Sequence, residues 1–398
     1  MPTPRTRAYD GPAVLSYGFR PFFFLGALYG ALAILLWLPL LFGKLRLETA
    51  FDPVDWHVHE MLFGFLPAIV TGFLLTAVPN WTGRLPVQGM PLALLVSLWL
   101  LGRIAVLFSA VIGPIAAGAL DCLFLLAVAA VTANEIIAGN NWRNLKVLVP
   151  VTILLFANVL FHAEAYFSGT SDYARRVAVA AATMLIVLIG GRIIPSFTRN
   201  WLSRQKPGRL PTAFGRFDAV AIIISVPAFA IWVAAPFSVP AGCLMLAAGI
   251  LHLLRLARWA GERTSREPLV LVLHLSYLFI PVGFVLSGLA ALAPSSVLPA
   301  AGLHAFGAGA IGTMTLSVMM RASLGHTGHA LTMSALSRAI YASACAAAFV
   351  RIVAAFDTAD FEPLILLSGL LWALAFIGFA VSFALKLLRK RSLREREG

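Results

Sequence analysis

Charged side chains are scarce in this sequence. Asp, Glu, Lys and Arg make up 12% of its 398 residues, whereas soluble domains contain roughly 25%. Hydrophobic residues make up 60%, and apolar runs of the roughly 20 residues needed to cross a bilayer recur from end to end. These features exclude a soluble protein, and an outer-membrane barrel would instead show short alternating segments. We predict an all-α polytopic membrane protein.

Cysteine is also rare. Cys122, Cys243 and Cys345 each stand alone in an apolar run, and this spacing indicates neither a disulfide framework nor a cysteine metal site. The net charge of +13 does not indicate nucleic-acid binding, because the basic residues lie between apolar runs, where membrane topology accounts for them. The expected partner is therefore the lipid bilayer.

The apolar runs predict twelve spans within a single integral membrane domain, residues 1–398. The first run is longer than the apolar region of a cleavable signal peptide, roughly 7–15 residues, so we interpret it as an uncleaved span. The predicted spans are 19–42, 57–78, 90–110, 114–138, 145–167, 174–195, 218–236, 239–259, 267–292, 296–322, 334–356 and 361–385.

The distribution of Lys and Arg predicts that both termini are cytoplasmic. With this orientation most of the 30 basic residues lie on the inner side, including Arg5 and Arg7 before the first span and Lys390, Arg391, Arg394 and Arg396 after the last. Arg103 falls within a span. The outer side keeps Lys44, Arg46, Arg175, Arg176 and Arg351.

The same orientation sorts the eight histidines into two groups. Ionisable residues within membrane spans are costly and indicate a functional site. Near the outer ends of spans lie His57, His59, His162 and His304, and near the inner ends lie His252, His274, His326 and His329.

Helix geometry places His57 and His59 on opposite sides of their span. Because each helical residue turns roughly 100°, His57 and His59 point about 200° apart and cannot bind one metal ion in a regular helix. Asp52-Pro53 resembles a helix cap followed by a first-turn proline, so the helix is expected to begin there. The pair therefore suits two neighbouring centres, one on each side of the span.

A short internal repeat is present. Span 2 ends in Pro79-Asn80-Trp81-Thr82, span 6 in Pro195-Ser196-Phe197-Thr198, and span 10 in Leu324-Gly325-His326-Thr327. The repeat predicts three four-helix arcs, in which His59 and His304 occupy equivalent positions.

Several motifs resemble those of the NnrS family, and the resemblance covers essentially the whole chain. They are Phe-Arg-Pro-Phe-Phe at 19–23, Trp-His-Val-His-Glu-Met-Leu-Phe-Gly-Phe at 56–65, the segment 72–84, Phe-His-Ala-Glu at 161–164, Gly-Thr-Met-Thr at 312–315 and Gly-His-Thr-Gly at 325–328. The resemblance implies a haem- and copper-containing membrane protein linked to nitric oxide, denitrification and nitrosative stress. His329 departs from the family pattern, which more often has Arg there, and is not expected to be a ligand.

A looser resemblance is to haem-copper oxidases, which also have twelve spans and haem-binding histidines in spans 2 and 10. It leads us to predict His59 and His304 as axial ligands of one haem. His57 would then face a second centre with His162, most simply copper. Glu60 or Glu164 is expected to orient a ligand there. If the inner group binds the haem instead, the alternative ligands are His252, His274 and His326.

Two further predictions concern arginines. Arg103 and Asp121 lie at one depth in adjacent antiparallel spans and are expected to form an ion pair. Arg175 and Arg176 break the positive-inside pattern, so we expect them to bind haem propionates. The alternative for these two is an ion pair with Asp172 or contact with lipid headgroups.

The leading hypothesis is a redox metalloprotein of the bacterial inner membrane that binds or processes nitric oxide, with a quinol or another respiratory-chain component as electron donor. Whether it catalyses a reaction is left open. One alternative is a metal-free transporter with broken helices, for which Gly190-Gly191 before Pro195 is a candidate break. Another is a non-catalytic sensor or assembly factor for a respiratory complex.

Overall fold

A computed structural model describes residues 9–357 and 359–389. Among these residues there are twelve helices long and apolar enough to cross a membrane, and no strand. The all-α fold and the predicted number of spans are confirmed. We label the helices α1 Phe19–Leu41, α2 Pro53–Thr82, α3 Met90–Leu107, α4 Pro114–Ala138, α5 Trp142–Ser168, α6 Asp172–Leu202, α7 Arg216–Ala234, α8 Val239–Arg263, α9 Pro268–Leu292, α10 Pro299–His326, α11 Ala335–Val353 and α12 Phe361–Leu388.

Some helices extend beyond their apolar runs, because polar residues can start a helix without adding to its hydrophobicity. Asp52 caps α2, where its Oδ1 accepts hydrogen bonds from the backbone N–H groups of Val54 at 2.8 Å and Asp55 at 2.9 Å. Pro53 occupies the first helical turn, where its missing N–H is tolerated. The predicted helix start at Asp52-Pro53 is confirmed.

Helix α6 runs without interruption through Gly190, Gly191 and Pro195. The candidate break that the transporter alternative placed here is therefore not present in α6. The second glycine has a packing role instead, since a Cβ atom there would collide with Nη2 of Arg255. Glycine allows the guanidinium group to approach the helix backbone.

Two spanning helices contain π-helical segments near their starts. In α2 the segment Glu60–Phe65 follows His59 directly, and in α10 the segment Ala305–Gly312 follows His304 directly. Both helices also begin with proline, Pro53 and Pro299. These shared features agree with the predicted equivalence of the two histidines, while the three-arc arrangement stays a prediction.

The described chain divides into two compact units. The first contains residues 9–178, 319–330 and 376–389, and within it α1 packs along α2, α3 along α4, and α4 along α5. The second contains residues 179–318, 331–357 and 359–375, and within it α8 packs between α7 and α9. The prediction of a single domain stays untested. Six basic residues used to predict orientation lie outside the described residues, namely Arg5, Arg7, Lys390, Arg391, Arg394 and Arg396.

Candidate metal centre

Helices α2, α4 and α5 bring two histidines and a carboxylate together within the first unit. His59 Nε2 lies 3.1 Å from Asp121 Oδ2, and His162 Nε2 lies 3.2 Å from the same oxygen. The two Nε2 atoms are 3.3 Å apart. Ligand atoms about 2.0–2.2 Å from a tetrahedral ion lie roughly 3.3–3.6 Å from one another. The triangle therefore has nearly the size of one face of such a coordination sphere.

The other ring nitrogen of His59 explains why these atoms need a cation. His59 Nδ1 lies 3.1 Å from Glu60 Oε1, and His59 Nε2 lies 3.1 Å from Asp121 Oδ2. Because a neutral imidazole has a single N–H, one of its nitrogens presents a lone pair to a carboxylate oxygen in either tautomer. A cation between them removes this repulsion, either a second proton on His59 or a metal ion. Carboxylate–histidine–metal arrangements are common in metalloproteins.

Asn158 lies next to the two histidines and was not among the predicted site residues. Its side-chain N–H donates to Asp121 Oδ2 at 2.8 Å, and its Oδ1 lies 3.2 Å from His59 Nε2. The amide therefore positions the carboxylate and adds a further oxygen near the three ligand atoms. The sequence could have indicated Asn158, because residues four apart share a helix face and Asn158 precedes His162 by four residues.

Arg103 joins the two buried carboxylates of the site. Its Nη1 donates to Glu60 Oε2 at 2.5 Å, and its Nη2 donates to Asp121 Oδ1. The predicted Arg103–Asp121 ion pair is confirmed. Tyr29 on α1 also donates to Glu60. Consequently Glu60, which is 1% exposed, holds His59 with one oxygen and accepts two hydrogen bonds with the other.

Gly64, within the π-helical segment of α2, leaves room for these contacts. Trp99 Nε1 donates to the Gly64 carbonyl oxygen at 2.9 Å, within the segment where the regular α-helical hydrogen bonds are interrupted. A Cβ atom at Gly64 would lie 2.6 Å from Glu60 Oε2 and 2.8 Å from Arg103 Nη1. Glycine is therefore needed at this position.

Two more glycines let the neighbouring helices approach. A Cβ atom at Gly102 would lie 2.9 Å from Asp121 Oδ1, and one at Gly118 would lie 3.0 Å from Cγ of His162. Both distances are shorter than ordinary van der Waals contact. Small residues at helix contacts are typical of membrane proteins, and here they contact the proposed ligands themselves.

Three phenylalanines surround the ring of His59. The centroids of Phe51, Phe161 and Phe63 lie 5.1, 5.2 and 5.3 Å from the His59 centroid. Phe51 also lies 5.4 Å from the His162 ring. His59 is completely buried, and the side chain of His162 is 12% exposed. The centre is thus polar at its middle and enclosed by aromatic carbon.

His57 is placed differently from the prediction. It stacks on Trp37 with ring centroids 4.1 Å apart, and His59 rather than His57 is the residue beside His162. The π-helical segment begins only after both histidines, so their opposite directions agree with the predicted helical geometry. The pairing between helices, however, was assigned to the wrong member of the pair.

The remaining outer residues have local partners. Glu164 accepts hydrogen bonds from the backbone N–H groups of Tyr173 and Ala174 at 3.2 and 2.8 Å, so it caps the start of α6. Arg175 forms an ion pair with Asp172, as the alternative interpretation expected. Arg176 lies over the ring of Tyr173, with its Cζ atom 5.0 Å from the centroid.

His304 belongs to the second unit and adopts a defined tautomer. Its Nδ1–H donates to the Ala300 carbonyl oxygen at 2.8 Å, which leaves the lone pair on Nε2. A backbone carbonyl fixing the tautomer in this way is common for metal-ligating histidines. His59 directs both ring nitrogens toward residues of its own unit. The predicted haem pair of these two histidines stays a prediction, and the geometry of His59 favours the metal centre.

His252 is held in a complete hydrogen-bond chain. Arg255 donates to the Tyr277 hydroxyl oxygen at 2.9 Å, and that hydroxyl donates to His252 Nδ1 at 2.9 Å. His252 Nε2–H donates to Ser225 Oγ at 2.8 Å, and Ser225 donates to the Ala221 carbonyl. Every polar atom in the chain has a partner, which is typical of a structural core histidine.

The other alternative ligands have separate surroundings. His274 Nε2 lies 2.8 Å from Thr198 Oγ1 in the second unit, and His326 lies against Phe19 in the first, with ring centroids 5.6 Å apart. Among the described residues, His59, Asp121 and His162 form the one group of three His, Cys, Asp or Glu side chains close enough together to hold a metal ion.

A comparison with protein families identifies a match over nearly the whole chain. The model of the NnrS protein family matches residues 13–391. The chain belongs to the NnrS family. A comparison with curated proteins finds no match.

Two of the motifs that resemble the NnrS family meet in the candidate metal centre. His59 and Glu60 come from the segment at 56–65, and His162 comes from Phe-His-Ala-Glu at 161–164. Asp121 lies outside both motifs, and the sequence indicated it only as a partner of Arg103. The three candidate ligands are therefore two histidines from these motifs and Asp121, which the sequence analysis selected because it lies at the same depth as Arg103.

Proposed function

We propose that this protein binds nitric oxide at a metal ion held by His59, Asp121 and His162. Membership of the NnrS family links the chain to nitric oxide. The observation that carries the proposal is the triangle of ligand atoms with edges of 3.1–3.3 Å. A metal with three protein ligands keeps an open position for a small molecule.

Copper is the ion that we propose, and the donor set fits it. Imidazole nitrogens suit copper as well as iron and zinc. A set of two histidines and one carboxylate is also typical of non-haem iron(II), so metal analysis decides between these ions. Bound at this position, either copper or iron would supply redox chemistry toward nitric oxide.

The surrounding residues have positioning roles. Glu60 fixes the His59 tautomer through Nδ1, and Arg103 holds Glu60 and Asp121 in place. Asn158 orients the Asp121 carboxylate. These contacts hold the ligand atoms in position before the ion binds, and such preorganisation strengthens metal binding.

We also propose haem binding at His304, supported by its hydrogen bond to Ala300. Arg175 and Arg176 remain the proposed partners of haem propionates, although Asp172 competes for Arg175. Loss of the Soret band in His304→Ala would support this assignment. An unchanged haem content and midpoint potential in the Arg175→Ala/Arg176→Ala double variant would exclude the role of the two arginines.

In the cell, we propose a role in the bacterial inner membrane during denitrification or nitrosative stress, with electrons from a quinol or another respiratory donor. The apolar helices support a multi-pass membrane protein. The transporter alternative loses one of its arguments, because α6 is continuous at Gly190-Gly191. A non-catalytic sensor would bind nitric oxide without consuming it.

The decisive experiment measures the metal content of purified protein after metal-replete expression. We expect about one equivalent of copper or iron per centre, lost in His59→Ala and Asp121→Asn and retained in His57→Ala. His252→Gln is a matched control in the second unit. Absence of bound metal in the wild type would leave the transporter alternative. Nitric oxide consumption by the reduced protein then separates a redox enzyme from a sensor.

A further inference from the structure

We propose that Phe51 sets the ligand specificity of the metal centre. Its ring would admit a small uncharged molecule, such as a diatomic gas, and exclude anions. This inference rests on the proposed metal centre and adds a residue that was not among the predicted site residues.

Phe51 covers both metal-binding imidazoles. Its ring centroid lies 5.1 Å from that of His59 and 5.4 Å from that of His162. It lies in the connection between α1 and α2 and is partly exposed, whereas Phe63 and Phe161 lie within helices and are 1% and 0% exposed. Phe51 is therefore the member of the aromatic enclosure that separates the centre from the outside.

The connection that carries Phe51 is anchored on both sides of the ring. Before it, the Ala50 N–H donates to Ser109 Oγ at 2.8 Å, and the Ala110 N–H donates to the Glu48 carbonyl oxygen at 3.0 Å. After it, Asp52 caps α2. These contacts hold the backbone of Phe51 and favour one position of the ring.

The enclosure discriminates by charge. Phe51 and Phe161 meet edge to face, with centroids 5.5 Å apart and planes at 85°. An anion passing these rings would lose its hydration without gaining a hydrogen bond, which is costly. It would also approach two buried carboxylates that share the single guanidinium of Arg103. An uncharged diatomic molecule has neither cost.

The test uses protein loaded with copper(II), whichever metal is native. Azide is the anionic probe, followed by its optical charge-transfer band and by electron paramagnetic resonance. Carbon monoxide is the uncharged probe, followed by infrared spectroscopy after reduction. In Phe51→Ala we expect the azide Kd to fall by about tenfold or more, with carbon monoxide binding nearly unchanged. Phe51→Val should change azide binding in the same direction if the larger truncation fails to fold.

Phe167→Ala is the matched control, because this phenylalanine of the same unit is 82% exposed. It should behave like the wild type toward both probes. Equal azide affinity in copper-loaded wild type and Phe51→Ala would overturn the specificity role alone. Failure of the wild type to bind copper at His59, Asp121 and His162 would overturn this inference together with the proposed metal centre.

Discussion

Arg103 is the residue on which the charge balance of the site depends. It is 6% exposed and donates to both Glu60 and Asp121. Removing it would leave two carboxylates buried close together with no arginine between them. An uncompensated buried charge is strongly unfavourable, more so than a broken ion pair at the surface.

We therefore expect Arg103→Met to lower the free energy of unfolding by about 3–5 kcal/mol. The matched control is Arg84→Met, which breaks the Arg84–Glu135 pair, where Arg84 is 43% exposed. An exposed pair is worth about 0–1 kcal/mol. Unfolding in detergent measures both variants, and similar losses in the two would contradict a special role for Arg103.

Gly118 tests the geometry of the centre without altering a ligand. A Cβ atom there would lie 3.0 Å from Cγ and 3.1 Å from Nδ1 of His162. In Gly118→Ala the imidazole must move by a few tenths of an ångström, so we expect copper affinity to fall by about tenfold or more. Gly307→Ala is the control, because a Cβ atom there meets nothing within 4 Å. Unchanged copper affinity in Gly118→Ala, measured by competition with a chelator, would argue against the ligand role of His162.

At the scale of single helices, α2 shows how an irregular segment builds a site. The π-helical segment Glu60–Phe65 places Glu60 beside both His59 and Arg103, and Trp99 bonds the Gly64 carbonyl. Hydrophobic periodicity does not reveal such a segment, because the residues on both sides of it remain apolar and helical. The sequence predicted that His57 and His59 diverge but not which of them meets His162.

The helix α12 illustrates a structural role for a family motif. Arg20, in the Phe-Arg-Pro-Phe-Phe motif, donates through Nη1 to the carbonyl oxygens of Lys386, Leu387 and Arg389 at 3.1, 2.9 and 3.1 Å. The last carbonyls of a helix have no partners within it, and a cation there also complements the helix dipole. Arg20 therefore stabilises the C-terminal end of α12.

We expect Arg20→Leu to lower the free energy of unfolding by about 1.5–3 kcal/mol, the usual contribution of a hydrogen bond to a charged group. The last turn of α12 should fray, so trypsin should cleave faster after Lys386 and Arg389. Arg20→Lys, which keeps the charge, should recover part of the loss. Metal content should stay at the wild-type level, and its loss would show that the motif also serves the centre.

At the scale of the whole molecule, composition and depth were enough to predict the spans and one buried contact. Apolar runs predicted the twelve spans, and equal depth in adjacent antiparallel spans predicted the Arg103–Asp121 pair. Contacts between spans that are distant in sequence cannot be predicted from depth alone. The meeting of His59 with His162 and Asn158 therefore required the structure.

The orientation of the molecule decides which side of the membrane the proposed metal centre faces. The distribution of Lys and Arg predicts that the start of α2 and the end of α5 face outward. His59 lies shortly after the start of α2, and His162 precedes the end of α5. Under the proposed function, a metal centre near the outer surface would meet nitric oxide before the gas reaches the cytoplasm.

Cysteine labelling in intact cells tests this orientation. Ser296 lies in the exposed connection between α9 and α10, and Ser203 lies in the exposed connection after α6. A membrane-impermeant maleimide should label Ser296→Cys in whole cells but Ser203→Cys only after lysis, because the positive-inside rule places the two connections on opposite sides. The unsubstituted protein, which retains its own three cysteines, gives the background. Labelling of Ser203→Cys in intact cells, with Ser296→Cys protected, would invert the topology and place the metal centre near the cytoplasm.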